Sequence, residues 1–138
     1  MRYLLDTNII AEPTKPQPSQ PVLDRLTQFA PTVAISSVSW HELWFGVERL
    51  PPSRKRQHLE DYLDNLRATN LPILDYTAEA GAWFAVERSR LVKIGLPPSY
   101  PDGQIAAIAK VNELILVTRN VSDYANFDGL MIENWFAE

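Results

Sequence analysis

The chain has 138 residues, 46% hydrophobic and 22% charged, with a formal net charge of −4. That length suffices for one domain with a real core, and the acidic balance excludes a surface that is a basic nucleic-acid footprint throughout. The lack of cysteine excludes disulfides and thiolate metal sites, and two histidines, His41 and His58, are poor material for a His-rich zinc centre.

Tyr3-Leu4-Leu5 predicts a buried first strand that runs straight into Asp6, Thr7 and Asn8. In an open parallel sheet, ligands bind outside the carboxyl ends of the strands, so an acid there is well sited for chemistry. Asp6 or Thr7 can equally begin a turn or cap the next helix. Ile9 to Glu12 predict a single helical turn, stopped by Pro13, Pro16, Pro18 and Pro21. Ser19 is the expected cap of a helix over 20–29, with Val22, Leu23, Leu26 and Phe29 as its apolar stripe. Val33 to Ser36 reads as a second strand. From Ser37 to Leu50, the residues Trp40, Leu43, Trp44, Val47 and Leu50 follow helical spacing. Ser39, Glu42 and Gly46 share another stripe, so small residues flank Glu42 and leave room beside its carboxylate. A solvated glutamate on an exposed face fits the same spacing.

Pro51-Pro52 end that helix, and Ser53 can cap a polar one that opens with Arg54-Lys55-Arg56. Basic residues in a first turn oppose the helix dipole by roughly a few tenths of a kcal/mol each. The cluster is therefore either a solvated charge run or a phosphate contact. Leu71 to Asp75 predicts a third strand, with Pro72 at its start or on an edge. Thr77 caps a long helix that runs to Lys93, and Gly95 supplies the stop. A proline-rich loop, Leu96 to Pro101, delivers Asp102 to the start of a helix over Gly103 to Asn112. The dipole favours an acid there by about 0.3–1 kcal/mol, which is a sufficient structural reason for it. Leu114 to Thr118 is the clearest strand, followed by Arg119, Asn120 and Val121-Ser122-Asp123-Tyr124. Leu130 to Ile132 reads as a short last strand. The alternation predicts an α/β domain with a mainly parallel sheet of about five strands flanked by helices. No segment resembles a signal peptide or a membrane span, so a cytoplasmic location without membrane contact is expected.

Each acid has a structural explanation of its own; their shared placement at strand ends and helix starts changes the reading. In a parallel sheet, Asp6, Glu42, Asp102 and the Asn120/Asp123 group can share one rim. Two like charges about 4 Å apart repel by roughly 4 kcal/mol at an effective dielectric of 20. Such a cluster takes up protons or a cation, and all-oxygen ligands point to Mg²⁺ or Mn²⁺. A site of that kind, lacking a protein nucleophile, suits phosphodiester hydrolysis. The net acidity does not exclude a nuclease whose acids are gathered in one site with basic side chains on its rim. There is no Walker loop, no G-x-G-x-x-G and no G-x-S-x-G elbow.

Four stretches now carry a family resemblance. They are Leu4-Leu5-Asp6-Thr7-Asn8, Ser37-Val38-Ser39-Trp40-His41-Glu42-Leu43, the run from Asp102-Gly103-Gln104 to Ala109, and Val117-Thr118-Arg119-Asn120 to Tyr124. In this order and at these spacings they resemble the four motifs of PIN-domain ribonucleases. The likeness is closest to VapC-type toxins and FitB proteins, includes the terminal Asn134-Trp135, and runs from residue 3 to residue 135. It implies a PIN-like three-layer fold as one domain over 1–138. It implies Mg²⁺- or Mn²⁺-dependent cleavage of single-stranded RNA, leaving a 5′-phosphate and a 3′-hydroxyl. Asp6 and Asp102 match the family's metal ligands, and Glu42 matches its third acid. At the fourth position, where many relatives carry Asp, this chain has Asn120, with Asp123 as the alternative. Thr7 and Thr118 match hydroxyls that support the acids. The resemblance also implies a VapB-like antitoxin partner, operator DNA contacted through that antitoxin, and a homodimer. Trp40, Trp44 and Phe45 suit either core packing or one of those contacts. Two other readings are a FitB-like regulatory module in a DNA-bound complex and a metal-dependent DNA nuclease of similar fold.

Overall fold

A computed structural model describes residues 1–136; positions 137 and 138 of the expected domain lie outside the described residues. Strands β1 (Tyr3–Leu5), β2 (Val33–Ser36), β3 (Ile73–Leu74), β4 (Ile115–Val117) and β5 (Ile132–Glu133) form one sheet. Its order is β3-β2-β1-β4-β5 and every pairing is parallel. Helices α1 (Thr7–Ile10), α2 (Gln20–Phe29), α3 (Ser37–Glu48), α4 (Arg54–Ala68), α5 (Ala78–Lys93), α6 (Tyr100–Val111) and α7 (Val121–Tyr124) make the connections. The expected parallel sheet of five strands flanked by helices is what forms.

The strands read as continuous apolar runs because both faces of the sheet are covered. Alternation assigns each side chain to a layer. Leu4, Ala34 and Leu116 point into one core, filled by Phe84, Leu91 and Ile105 from α5 and α6. Tyr3, Leu5, Val33, Ile35, Ile115 and Val117 point into the other, filled by Ile9, Ile10, Val22 and Trp135. Trp135 closes that second layer, with its ring centroid 5.2 Å from Tyr3 and 5.6 Å from Phe29.

Several element ends differ from expectation for local reasons. The single turn after β1 begins at Thr7 rather than Ile9, because Asp6 caps it and Oδ1 accepts from the Thr7 N–H at 2.8 Å. Ser19 sits at the start of α2 but makes no side-chain cap; its own N–H donates to the buried Glu12 carboxylate at 2.9 Å. Helix α6 starts before Asp102, at Tyr100, with Pro101 in its first turn, where a missing N–H costs nothing. The Ser99 hydroxyl accepts from the Asp102 N–H at 3.3 Å. Strand β3 shrinks to two residues at the sheet edge; Pro72 has no N–H and only accepts, from the Ile35 N–H at 3.0 Å. The last strand lies at Ile132–Glu133, not at Leu130 to Ile132.

The basic cluster at the start of α4 is split. The Arg56 guanidinium is held by Glu60 at 2.8 Å, Glu48 at 3.0 Å and the Leu50 carbonyl at 2.8 Å. That accounts for Arg56 structurally, as a brace between α3 and α4. Lys55 instead borders a groove of about 350 Å³ that reaches Thr7 and Glu42. Among the described residues no helix is long and apolar enough to cross a membrane.

Candidate active site

Strand β1 is central. The chain extends the sheet from it in one direction through β2 and β3, then resumes on its other side with β4 and β5. The crevice beyond the carboxyl ends of β1 and β4 is therefore the topological switch point, where open parallel sheets bind ligands. Asp6 and Thr118 are the first residues past those two strands. Their side chains meet there: the Thr118 hydroxyl donates to Asp6 Oδ2 at 2.8 Å.

Asp6 is only 5% exposed. Its carboxylate accepts from the Thr7 N–H at 2.8 Å and from Asn8 Nδ2 at 3.4 Å. Asn8 also ties the opposite strand end, since its Oδ1 accepts from the Arg119 N–H at 3.1 Å. Turn residue and candidate ligand are thus the same residue: one oxygen of Asp6 caps α1 and the other faces the crevice. Burial pushes its carboxyl above the usual carboxylate value, Thr118, Thr7 and Tyr124 pull it back through hydrogen bonds, and Asp102 pushes it up again.

Glu42 arrives from the second turn of α3. Thr7 Oγ1 lies 3.0 Å from the buried Ser39 Oγ and donates to Glu42 Oε1 at 3.1 Å. A side chain larger than serine at position 39 would occupy that space. At position 46 an added Cβ would meet nothing within 4 Å, so the side of Glu42 facing the groove stays open. Partial burial pushes the Glu42 carboxyl up; Thr7 opposes this, and Asp6 and Asp102 reinforce it.

Asp102 comes from the first turn of α6. Helix α6 lies so close to α5 that a Cβ at Gly103 would sit 2.0 Å from the Phe84 ring. This contact between helices fixes how far Asp102 reaches into the crevice. Tyr124, at the end of α7, completes the arrangement. Its hydroxyl lies 3.2 Å from Asp6 Oδ2 and 3.1 Å from Asp102 Oδ1. Burial and the two acids hold this phenol protonated, far above its usual value.

Asn120 lies at the N-terminal end of α7 without a side-chain cap, and its N–H donates to Thr118 Oγ1 at 3.0 Å. Asp123 is exposed and stands outside the hydrogen-bonded network of Asp6, Glu42 and Asp102. It borders a cleft that Asp102 also lines, with Ser99 and Ser122. Of the residues singled out in the sequence, the structure draws together Asp6, Thr7, Glu42, Asp102 and Thr118; Asn120 joins through its backbone. Sequence reasoning missed Tyr124 and the role of Ser39. Tyr124 gave no signal beyond an aromatic in a short polar stretch.

Among the described residues no group of three or more carboxylates or imidazoles is gathered tightly enough to cage a metal. The donor set is instead the pair Asp6 and Asp102, with Glu42 close enough to be raised by both. One or two carboxylates, with water and substrate oxygens, are what a protein usually offers Mg²⁺. The buried Asp6 and the half-buried Glu42 are both pushed above their ordinary values. Among the described residues no lysine or arginine hydrogen-bonds to Asp6, Glu42 or Asp102, a donor set that fits a hard divalent cation.

Comparison with known proteins shows the family and the fold. The family model described as PIN domain matches residues 3–129. The chain is 35% identical over 136 residues to "Ribonuclease VapC2" of Haemophilus influenzae, covering 98% of each. The crystal structure of FitAcB from Neisseria gonorrhoeae superposes with a TM-score of 0.90 at 30% identity, covering 99% of each chain. VapBC2 from Rickettsia felis, bound to a DNA fragment from its promoter, gives a TM-score of 0.83 at 30% identity, covering 98% of this chain and 99% of that one.

Proposed function

The chain belongs to the PIN-domain family, and we propose that it is the toxin of a type II toxin–antitoxin pair, a single PIN domain over 1–138 acting as an endoribonuclease. The observation that carries the reading is the pair of acids from distant parts of the chain, Asp6 and Asp102, converging on one phenol at the switch point of the sheet. The ribonuclease and toxin names of similar proteins support it.

In this reading Asp6 and Asp102 hold Mg²⁺ or Mn²⁺, and Glu42 and Asp123 are the further acids of the site. A bound cation would neutralise charge and ease deprotonation of water for hydrolysis of a phosphodiester in single-stranded RNA. The protein's own part is positional. Thr7 and Thr118 fix the carboxylates from opposite sides, and Asn120 steadies Thr118. Glu42, pushed up by burial and by its neighbouring acids, is suited to take a proton from water. Arg119 is exposed on the rim, its guanidinium 4.5 Å from the Phe136 ring centroid, and offers a positive charge to the RNA backbone. A small VapB-like antitoxin neutralises the toxin, and the pair reaches operator DNA through the antitoxin. Similarity to complexes that carry such a partner, one of them on promoter DNA, supports this. A homodimer in the cytoplasm completes the proposal.

Antitoxin-free protein incubated with matched single-stranded RNA and DNA, in Mg²⁺ and in EDTA, tests the function. The expected products are RNA fragments with 5′-phosphates, formed in Mg²⁺ alone. Preferential DNA cleavage would instead support a DNA nuclease. Absence of any product, with operator binding intact alongside the partner, would support a purely regulatory module.

A further inference from the structure

We propose that Tyr124 is a positioning residue: its phenol hydroxyl holds the Asp102 carboxylate beside Asp6 in the geometry that receives the cation. The inference rests on the reading that these two acids bind a divalent metal ion.

The hydrogen bonds around the two acids are unequal. Asp6 is fixed three times without Tyr124, by the Thr7 N–H, the Thr118 hydroxyl and Asn8 Nδ2. Among the described residues, the Asp102 carboxylate accepts from Tyr124 alone. Deleting the phenol hydroxyl therefore leaves Asp6 in place and releases Asp102, which is half-exposed in the first turn of α6 and has rotamers available.

The ring itself is core. Tyr124 is 1% exposed and lies 6.4 Å from the Phe127 ring centroid. Phenylalanine would fill that volume as well. A buried hydroxyl is costly unless it is satisfied, and among the described residues its hydrogen-bond partners are Asp6 and Asp102. Its single hydrogen faces two acceptors at nearly equal distance. The hydroxyl thus sets the spacing between the carboxylates, which packing alone does not require.

The test is Mn²⁺ binding without RNA, read from the free-ion EPR signal, for the parent chain, Tyr124→Phe and Asp102→Asn. A net hydrogen bond of about 1 kcal/mol corresponds to roughly a fivefold change in Kd. Tyr124→Phe is expected to bind Mn²⁺ about five- to tenfold more weakly, and Asp102→Asn more weakly still. A parent-like Kd in Tyr124→Phe, beside normal binding by the parent, overturns the role of Tyr124 and leaves the metal site standing. That holds even if the variant melts earlier, because a purely structural hydroxyl changes Tm and not Kd. No Mn²⁺ binding by the parent overturns both. A crystal structure of the parent with Mn²⁺ decides the matter if the variant does not fold. The hydroxyl is expected within hydrogen-bond distance of Asp102; one swung away from it overturns the proposal.

Discussion

The Thr118 hydroxyl donates to Asp6 Oδ2 at 2.8 Å, joining the ends of β4 and β1 across 112 residues of sequence. The bond lowers the proton affinity of an acid that burial raises. Thr118→Val keeps the shape and removes the donor, and it also leaves the Asn120 N–H without its acceptor. The Asp6 carboxyl then moves further up, so the acid limb of the kcat/KM profile for RNA cleavage shifts to higher pH. Chemical denaturation is expected to show a loss of about 1–3 kcal/mol. An acid limb that stays put or moves down would contradict the role given to this bond.

Stability without metal carries a definite sign. Asp6 is raised from 3.8 and Glu42 from 4.5, each chiefly by burial. A carboxyl whose folded pKa exceeds its unfolded one binds its proton first in the native state. Its contribution to stability is fully present below the unfolded value and is lost as pH rises through the folded one. In EDTA, the Tm of the parent relative to Asp6→Asn should therefore rise as pH falls from about 7 towards about 4.5. Saturating Mg²⁺ at neutral pH should stabilise the parent and not the variant. A difference that falls with acidification would show that Asp6 is not the strained acid described.

Gly103 matters for packing rather than for backbone freedom. A Cβ there would lie 2.0 Å from the Phe84 ring. Overpacking of this kind costs about 1–3 kcal/mol or more, because the ring or the helix must move. Gly103→Ala is expected to lower the urea midpoint, and to lower it less in a Phe84→Leu background. Equal losses in both backgrounds would locate the strain elsewhere.

The acids should separate by substitution. Asp102→Asn removes a carboxylate that shares the Tyr124 hydroxyl with Asp6, whereas Asp123 is exposed and outside that network. Single-turnover cleavage is expected to fall by about a hundredfold or more for Asp102→Asn and by less than about tenfold for Asp123→Asn. Comparable losses would give Asp123 the weight of a principal acid.

Much of this was legible in the chain because strand and helix periods are written in apolar residues. Leu4-Leu5, Val33 to Ser36 and Ile115 to Val117 declared a buried parallel sheet, and Asp6, Glu42 and Asp102 stood out as acids at the ends of such elements. The stripe of Ser39, Glu42 and Gly46 already implied the open space seen beside Glu42. What stayed hidden depends on contacts between distant segments. Nothing local marks Tyr124 as facing two acids, since its partners are 118 and 22 residues away. Asp123 looked equivalent to Asn120 because both follow β4 in one short stretch, yet its side chain is exposed in a cleft it shares with Asp102 and takes no part in the hydrogen bonds around Asp6. Arg56 looked available to phosphate until Glu48, Glu60 and the Leu50 carbonyl were seen to occupy it.

In the proposed function, the acids of the crevice at the ends of β1 and β4 carry RNA cleavage. The most direct measurement is the single-turnover rate on one single-stranded RNA, in Mg²⁺ and in EDTA, for antitoxin-free parent and Asp6→Ala. Cleavage by the parent is expected in Mg²⁺ alone, with a loss of at least about a thousandfold in Asp6→Ala while cooperative unfolding is retained. Equal rates for parent and variant in Mg²⁺ would contradict it.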